Sequence, residues 1–148
     1  FGLWHFGMFP VDDLRIVKTM KAVRDRLWIK TSVGGVARYD DDYYHRQSQD
    51  KANVPGNPWF ICTLWLAQWA IATATTKEDL KPAVELLEWC VKHGLPSGVL
   101  AEQVHPYTHA PLSVSPLTWS HATFVTAVQE YLTRWRMLSK PSGGAERA

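Results

Sequence analysis

Apolar and polar positions recur at helical spacing in four stretches of the chain. In the first, Val17, Met20, Val23 and Leu27 are separated by Lys18, Lys21, Arg24 and Arg26. This spacing predicts an amphipathic helix of about 16 residues, capped by Asp12 and ending near Lys30. The second, from Trp59 to Ala74, is apolar nearly all round, with only Thr63, Gln68 and Thr73 as polar interruptions. Asn57 suits its N-cap and Pro58 its first helical position. The run is slightly short for a membrane span and lacks a basic flank, so a helix packed on all sides is expected. In the third, Leu80, Ala83, Val84, Leu87 and Val91 form an apolar stripe, while Lys77, Glu78, Lys81, Glu85 and Glu88 form the wet face. Thr76 with Asp79 caps this helix, and Gly94 and Pro96 stop it. The fourth opens at Ser115 and Pro116 and carries Leu117, Phe124, Val128, Tyr131 and Trp135.

Residues 1–11 are aromatic and Gly-rich and read as a loop or the end of an element. Residues 31–57 and 95–116 carry few helix signals. Loops of that length are uncommon in a compact chain and usually functional. Gly34 and Gly35 mark a turn or a close approach. The two long loops alternate with one short connection, so in an antiparallel stack both fall at the same end. An all-α fold with its site at that end is expected. The first unit spans 1–138, and the stretch 139–148, rich in Ser and Gly, is expected to be a disordered tail.

Composition narrows the function classes. The 148 residues suffice for one domain or part of a larger one, and 46 % hydrophobic against 20 % charged residues is a core-forming balance. With 16 Lys+Arg, 14 Asp+Glu and a net charge of +2, nothing supports a nucleic-acid or anionic-membrane surface. Cys62 and Cys90 sit in apolar helical patterns and read as buried small hydrophobes. Eight Trp is an unusually high count. Indole rings stack on the apolar faces of sugars, but they also fill helix–helix cores, and most of these eight are expected to do so. The chain opens at Phe1 with no signal peptide in view, so a cytoplasmic protein is expected, and a processed or truncated piece of a longer one.

Candidate chemistry gathers in the two loops. The first holds Arg38, the consecutive Asp40, Asp41 and Asp42, and Tyr43 and Tyr44. Arg offers planar, multi-donor hydrogen bonding that suits vicinal hydroxyls. The same run also reads as a solvated turn with salt bridges, and it lacks the spacing of a helix–loop–helix calcium loop. In the second loop Glu102 follows an apolar run, where a carboxylate can serve as a general base or simply face solvent. The six His are scattered, and Pro106 between His105 and His109 argues against a helical zinc pair. There is no phosphate loop and no nucleophile elbow. No metal and no cofactor is expected.

These motifs together resemble glycoside hydrolase family 15, the glucoamylases, glucodextranases and trehalases. Gly-Gly-Val-Ala-Arg-Tyr-Asp-Asp-Asp-Tyr-Tyr (34–44) is similar to the family's Arg-Tyr…Tyr-Tyr loop, and Gly-Asn-Pro-Trp-Phe-Ile-Cys-Thr-Leu-Trp (56–65) to its Gly-Asn-Pro-Trp-Phe segment. Leu-Ala-Glu-Gln (100–103) resembles its catalytic-base motif, and Pro-Leu-Thr-Trp-Ser-His-Ala (116–122) the segment that opens its last helix. The resemblance implies the C-terminal portion of an (α/α)6 barrel, a six-hairpin toroid, with the helix from Trp59 on the inside and those from Asp12 and Thr76 outside. It implies inverting hydrolysis of α-glucosidic bonds with release of glucose. Glu102 is then the base, Arg38 holds hydroxyls of the terminal glucose, and Trp59 and Trp119 line the sugar, supported by Tyr43 and Tyr44. The family's general acid lies in an upstream motif that nothing here matches, so the chain alone is expected to be inactive. The partners implied are an α-glucoside or oligosaccharide and either the rest of the catalytic domain or further copies of the chain. Three Asp in a row depart from some members and leave the sugar open: trehalase activity, or a non-catalytic sugar-binding toroid, are the alternatives.

Overall fold

Helices form where the apolar spacing predicts them, with shifted ends. The computed structural model describes residues 1–140. A single turn, α1 (Gly2–His5), precedes four longer helices: α2 (Leu14–Leu27), α3 (Phe60–Thr73), α4 (Lys81–His93) and α5 (Thr118–Ser139). The cap of α2 is Asp13, not Asp12. Its carboxylate accepts from the Arg15 backbone N–H at 2.9 Å and from the Arg15 guanidinium, which hold its pKa down at about 2. The helix ends at Leu27 rather than near Lys30, because Trp28 turns extended and the Ile29 N–H donates to the Gly35 carbonyl at 2.9 Å.

α3 is central, packed against both α4 and α5. Phe60 and Leu64 are fully buried among Leu87, Cys90 and Ala127, which contributes about 1.5–3 kcal/mol per large side chain. On another side Ile16 and Met20 of α2 meet Ile61 and Leu66. Asn57 does not cap α3. Residues 58–59 are extended, and the Asn57 amide is taken by Gln103 and by the His45 carbonyl. Thr63, inside α3, ties the helix to the preceding strands: its hydroxyl donates to the Trp59 carbonyl at 2.8 Å and accepts from the Val36 N–H at 3.0 Å.

Thr76 and Asp79 form the expected reciprocal cap, but on a short 3₁₀ turn, Glu78–Leu80, that leads into α4. Gly94 ends α4 as expected. Its buried face runs through Ala83, Leu86, Leu87 and Cys90, whereas Val91 is 67 % exposed and does not belong to the stripe. α5 starts at Thr118, after Leu117 has donated its N–H to the Leu100 carbonyl, and runs through Ser139. Most of the segment read as a tail, 141–148, lies outside the described residues.

The two long loops do lie at one end, and they pair there. β1 (Val36–Ala37), β2 (Pro58–Trp59), β3 (Gln103–Val104) and β4 (Pro111–Leu112) make an antiparallel sheet in the order β1-β2-β3-β4. Two-residue strands leave no alternating run to read, which is why the sequence showed only loops here. Gly35 is the close approach that feeds it. At φ +84° it lies in the left-handed region, and a Cβ there would meet the Trp89 ring at 2.6 Å and the Pro58 Cβ at 2.8 Å.

Cys62 and Cys90 are buried and unpaired, and burial pushes the Cys62 thiol up to about 12. Most of the tryptophans pack in or against the core, as expected: Trp59 and Trp89 are buried, and Trp4, Trp28, Trp65 and Trp69 are half-buried against it, while Trp119 and Trp135 are exposed. Among the described residues no helix is long and apolar enough to cross a membrane.

Candidate active site

Arg38 leaves the end of β1 and lies over the ring of Trp59 on β2, its guanidinium carbon 4.5 Å from the ring centroid. The rings of Tyr39 and Tyr44 are 4.8 and 5.2 Å from the same carbon. Behind the cation Asp42, only 1 % exposed, accepts from Arg38 Nε at 3.0 Å and Nη2 at 2.9 Å. This paired hydrogen bond raises the Arg38 pKa further above its ordinary value. Asp42 also accepts from the Tyr44 N–H at 3.0 Å, which fixes the loop around it. The three consecutive Asp therefore divide their work. Asp42 holds Arg38, Asp41 takes Arg46 at 2.8 Å and Lys51 at 2.9 Å, and Asp40 is exposed. With its charge matched from behind, the guanidinium is held flat against the rings, and its remaining N–H groups suit the hydroxyls of a sugar.

Trp59 pairs with Gln103, so β3 brings Glu102 to the neighbouring rung. The Glu102 backbone is pinned twice: its N–H donates to the Val114 carbonyl at 2.9 Å and its carbonyl accepts from the Phe60 N–H at 3.3 Å. Its half-buried carboxylate accepts from Gln103 Nε2 at 3.0 Å. Trp119, 56 % exposed at the start of α5, meets Trp65 edge to face at 5.9 Å. Arg38, Trp65 and Trp119 line a cavity of about 660 Å³ with Gln68, Phe1 and Phe6.

Of the candidate residues, Arg38, Tyr44 and Trp59 are in one cluster, Glu102 immediately precedes the adjacent strand β3, and Trp119 shares the cavity with Arg38. Tyr43 is 80 % exposed and takes no part in the ring cluster. The sequence marks Asp42 only as one of three consecutive Asp, and it gives Tyr39, Asn57 and Gln103 no role in the site. Gln103 follows Glu102 directly, which is a signal of sorts, but Asn57 reaches it only through the β2–β3 pairing. The histidines also hold a pair that spacing hid. His93 Nε2 and His109 Nδ1 are 3.0 Å apart with their rings stacked at 5.1 Å, and burial lowers the His93 pKa.

The sequence model of glycosyl hydrolases family 15 matches residues 5–92 and 77–129. A relative from Methanocaldococcus jannaschii, described as the uncharacterized glycosyl hydrolase MJ1610, is 34 % identical over 136 residues, or 86 % of this chain and 20 % of that protein. A bacterial glucoamylase whose crystal structure contains acarbose superposes with a TM-score of 0.73 at 26 % identity, over 89 % of this chain and 19 % of its own. The Hormoconis resinae glucoamylase has the same fold, with a TM-score of 0.57 at 19 % identity over 87 % of this chain and 29 % of its own. The chain thus spans about a fifth of the length of the first two and under a third of the last. Its stacked helices correspond to part of the (α/α)6 toroid of these enzymes.

Proposed function

Since the chain belongs to glycosyl hydrolase family 15, we propose that it supplies one wall and the catalytic base of an enzyme that hydrolyses α-glucosidic bonds with inversion, releasing glucose from non-reducing ends. The observation that carries this reading is the Arg38–Asp42 ion pair laid against Trp59, one strand away from Glu102. Arg38, backed by the buried ring of Trp59, donates to hydroxyls of the terminal sugar, and Trp119 presents an exposed apolar face to it. Tyr44 supports this wall, and Tyr43 stands outside the ring cluster. Glu102 takes a proton from water as the water oxygen bonds to the anomeric carbon. The glycosidic C–O bond breaks on the opposite face, and its oxygen receives a proton from an acid carried elsewhere in the full-length protein. No cofactor or metal enters these steps. The aromatic face around Phe1, Phe6 and Trp65 is covered by the rest of the catalytic domain. Deprived of it, the isolated chain self-associates and is inactive, which sedimentation and a maltose assay check.

The deciding experiment is Glu102→Gln in the full-length protein. The expected result is a kcat lower by about 10²–10⁴-fold with little change in KM, since general-base catalysis contributes on that order. Wild-type product read by NMR should be the β-anomer. Near-normal turnover by Glu102→Gln overturns the assignment of the base. Turnover of trehalose in preference to maltose moves the reading to a trehalase, and sugar binding without turnover moves it to a non-catalytic toroid.

A further inference from the structure

We propose that Asn57 is a positioning residue for the base: through Gln103 it determines which end of an amide faces Glu102. The inference rests on the assignment of Glu102 above. The His45 carbonyl can only accept. Asn57 lies 2.8 Å from it and must turn its NH2 end, Nδ2, that way. The same Nδ2 is 2.8 Å from the Gln103 amide, so Gln103 must answer with its oxygen. The other end of Gln103, Nε2, then faces Glu102 Oε2 at 3.0 Å and donates to it. Turning Gln103 over would set two NH2 groups together and put an amide oxygen against a carboxylate. Turning Asn57 over would set its oxygen against two others.

Burial makes this chain of donors stiff. Gln103 is 0 % and Asn57 1 % exposed, so water cannot repair a wrong orientation. Asn57 Oδ1 is buried without a partner, an arrangement that ordinarily destabilises. Asn57 is therefore not placed to satisfy its own amide; both of its uses are as a donor. At the far end, Glu102 Oε2 accepts a hydrogen bond from Gln103 Nε2, and Oε1 takes no protein hydrogen bond among the described residues. The fixed Oε2 sets the direction in which Oε1 points.

The test is a double-mutant cycle in the full-length enzyme with a maltooligosaccharide substrate. Gln103→Met keeps the volume and removes both poles of the amide; Asn57→Ala removes the donor behind it. Each should lower kcat roughly tenfold, the scale of one hydrogen bond to a charged group, with KM nearly unchanged. Asn57→Ser, which keeps a donor hydroxyl, should recover part of the kcat that Asn57→Ala loses. The double variant should be no worse than Gln103→Met alone, because Asn57 acts through Gln103. Should Asn57→Ala not fold, Asn57→Leu, which keeps the volume and donates nothing, carries the same cycle. Multiplying effects, or a kcat no higher in Asn57→Ser than in Asn57→Ala, overturn the proposal while leaving the base in place if Glu102→Gln is inactive. Near-normal activity of Glu102→Gln overturns both readings.

Discussion

The sheet end of the molecule and its aromatic face treat solvent in opposite ways. At the sheet end Asp42, Asn57, Trp59 and Gln103 are nearly or wholly buried, and their polar atoms are engaged by neighbours from the same chain except for Asn57 Oδ1 and Trp59 Nε1. On the aromatic face Phe6 is 82 % and Trp119 56 % exposed, and Phe1 and Trp65 stack beside an open cavity. Charge at the sheet end is matched locally, whereas the rings of the aromatic face are left uncovered by the described residues. A buried polar group without a partner is costly at once. An exposed ring is tolerable until a partner arrives.

Breaking the locked end should have the largest effect. Gly35→Ala forces a Cβ into the Trp89 ring and Pro58 at a backbone angle that L side chains rarely adopt. A loss of roughly 2–4 kcal/mol is expected, read as a lower midpoint in a denaturant melt. If the variant melts normally, the sheet end is softer than the comparison holds. Next, Asp42→Asn strips the charge that matches Arg38. The guanidinium is about a third exposed, so the cost is discounted to about 1–3 kcal/mol, with weaker oligosaccharide binding by the full-length enzyme in calorimetry.

The open face should respond differently. Trp119→Ala in the full-length enzyme should leave the melt nearly unchanged and weaken sugar affinity by roughly 0.5–1.5 kcal/mol. A variant that instead unfolds with affinity intact would make Trp119 a core residue and remove the contrast. The smallest effect is one of pH. Desolvation lowers the His93 pKa from the ordinary 6.5. Between those two values the unfolded chain binds a proton that the folded chain does not, so this contribution is full above pH 6.5 and fades as pH falls through the folded value. Thermal melts between pH 7 and pH 5 should show His93→Gln losing part of that slope. An unchanged slope would detach the His93–His109 pair from stability.

The helices were legible because their apolar positions repeat over several turns, and the likeness to one family was legible because Arg38, Trp59, Glu102 and Trp119 sit in short contiguous motifs. Their boundaries were not. Asn57 and Pro58 carry good local signals for a helix start, yet the tertiary pull of Gln103 and the His45 carbonyl draws them into a strand. Val91 has the right spacing for the core but faces solvent, since the α4 face that meets α3 is set by Leu86, Leu87 and Cys90. The small sheet and the Asn57–Gln103 link were invisible for a common reason: each joins segments whose proximity exists only after the helices have packed.

The β1–β2 and β2–β3 pairings bridge residues far apart in the chain, Val36 with Trp59 and Trp59 with Gln103, while β3 and β4 form a local hairpin. Two-residue strands have almost no stability of their own, and long loops lose considerable entropy on closing. The helices close separations at least as long, α3 meeting α5, but they bring large apolar faces with them and can dock first. The ring cluster and Glu102 are then set late on the folding route, after its rate-limiting step, and substitutions at the sheet should quicken unfolding while scarcely slowing folding.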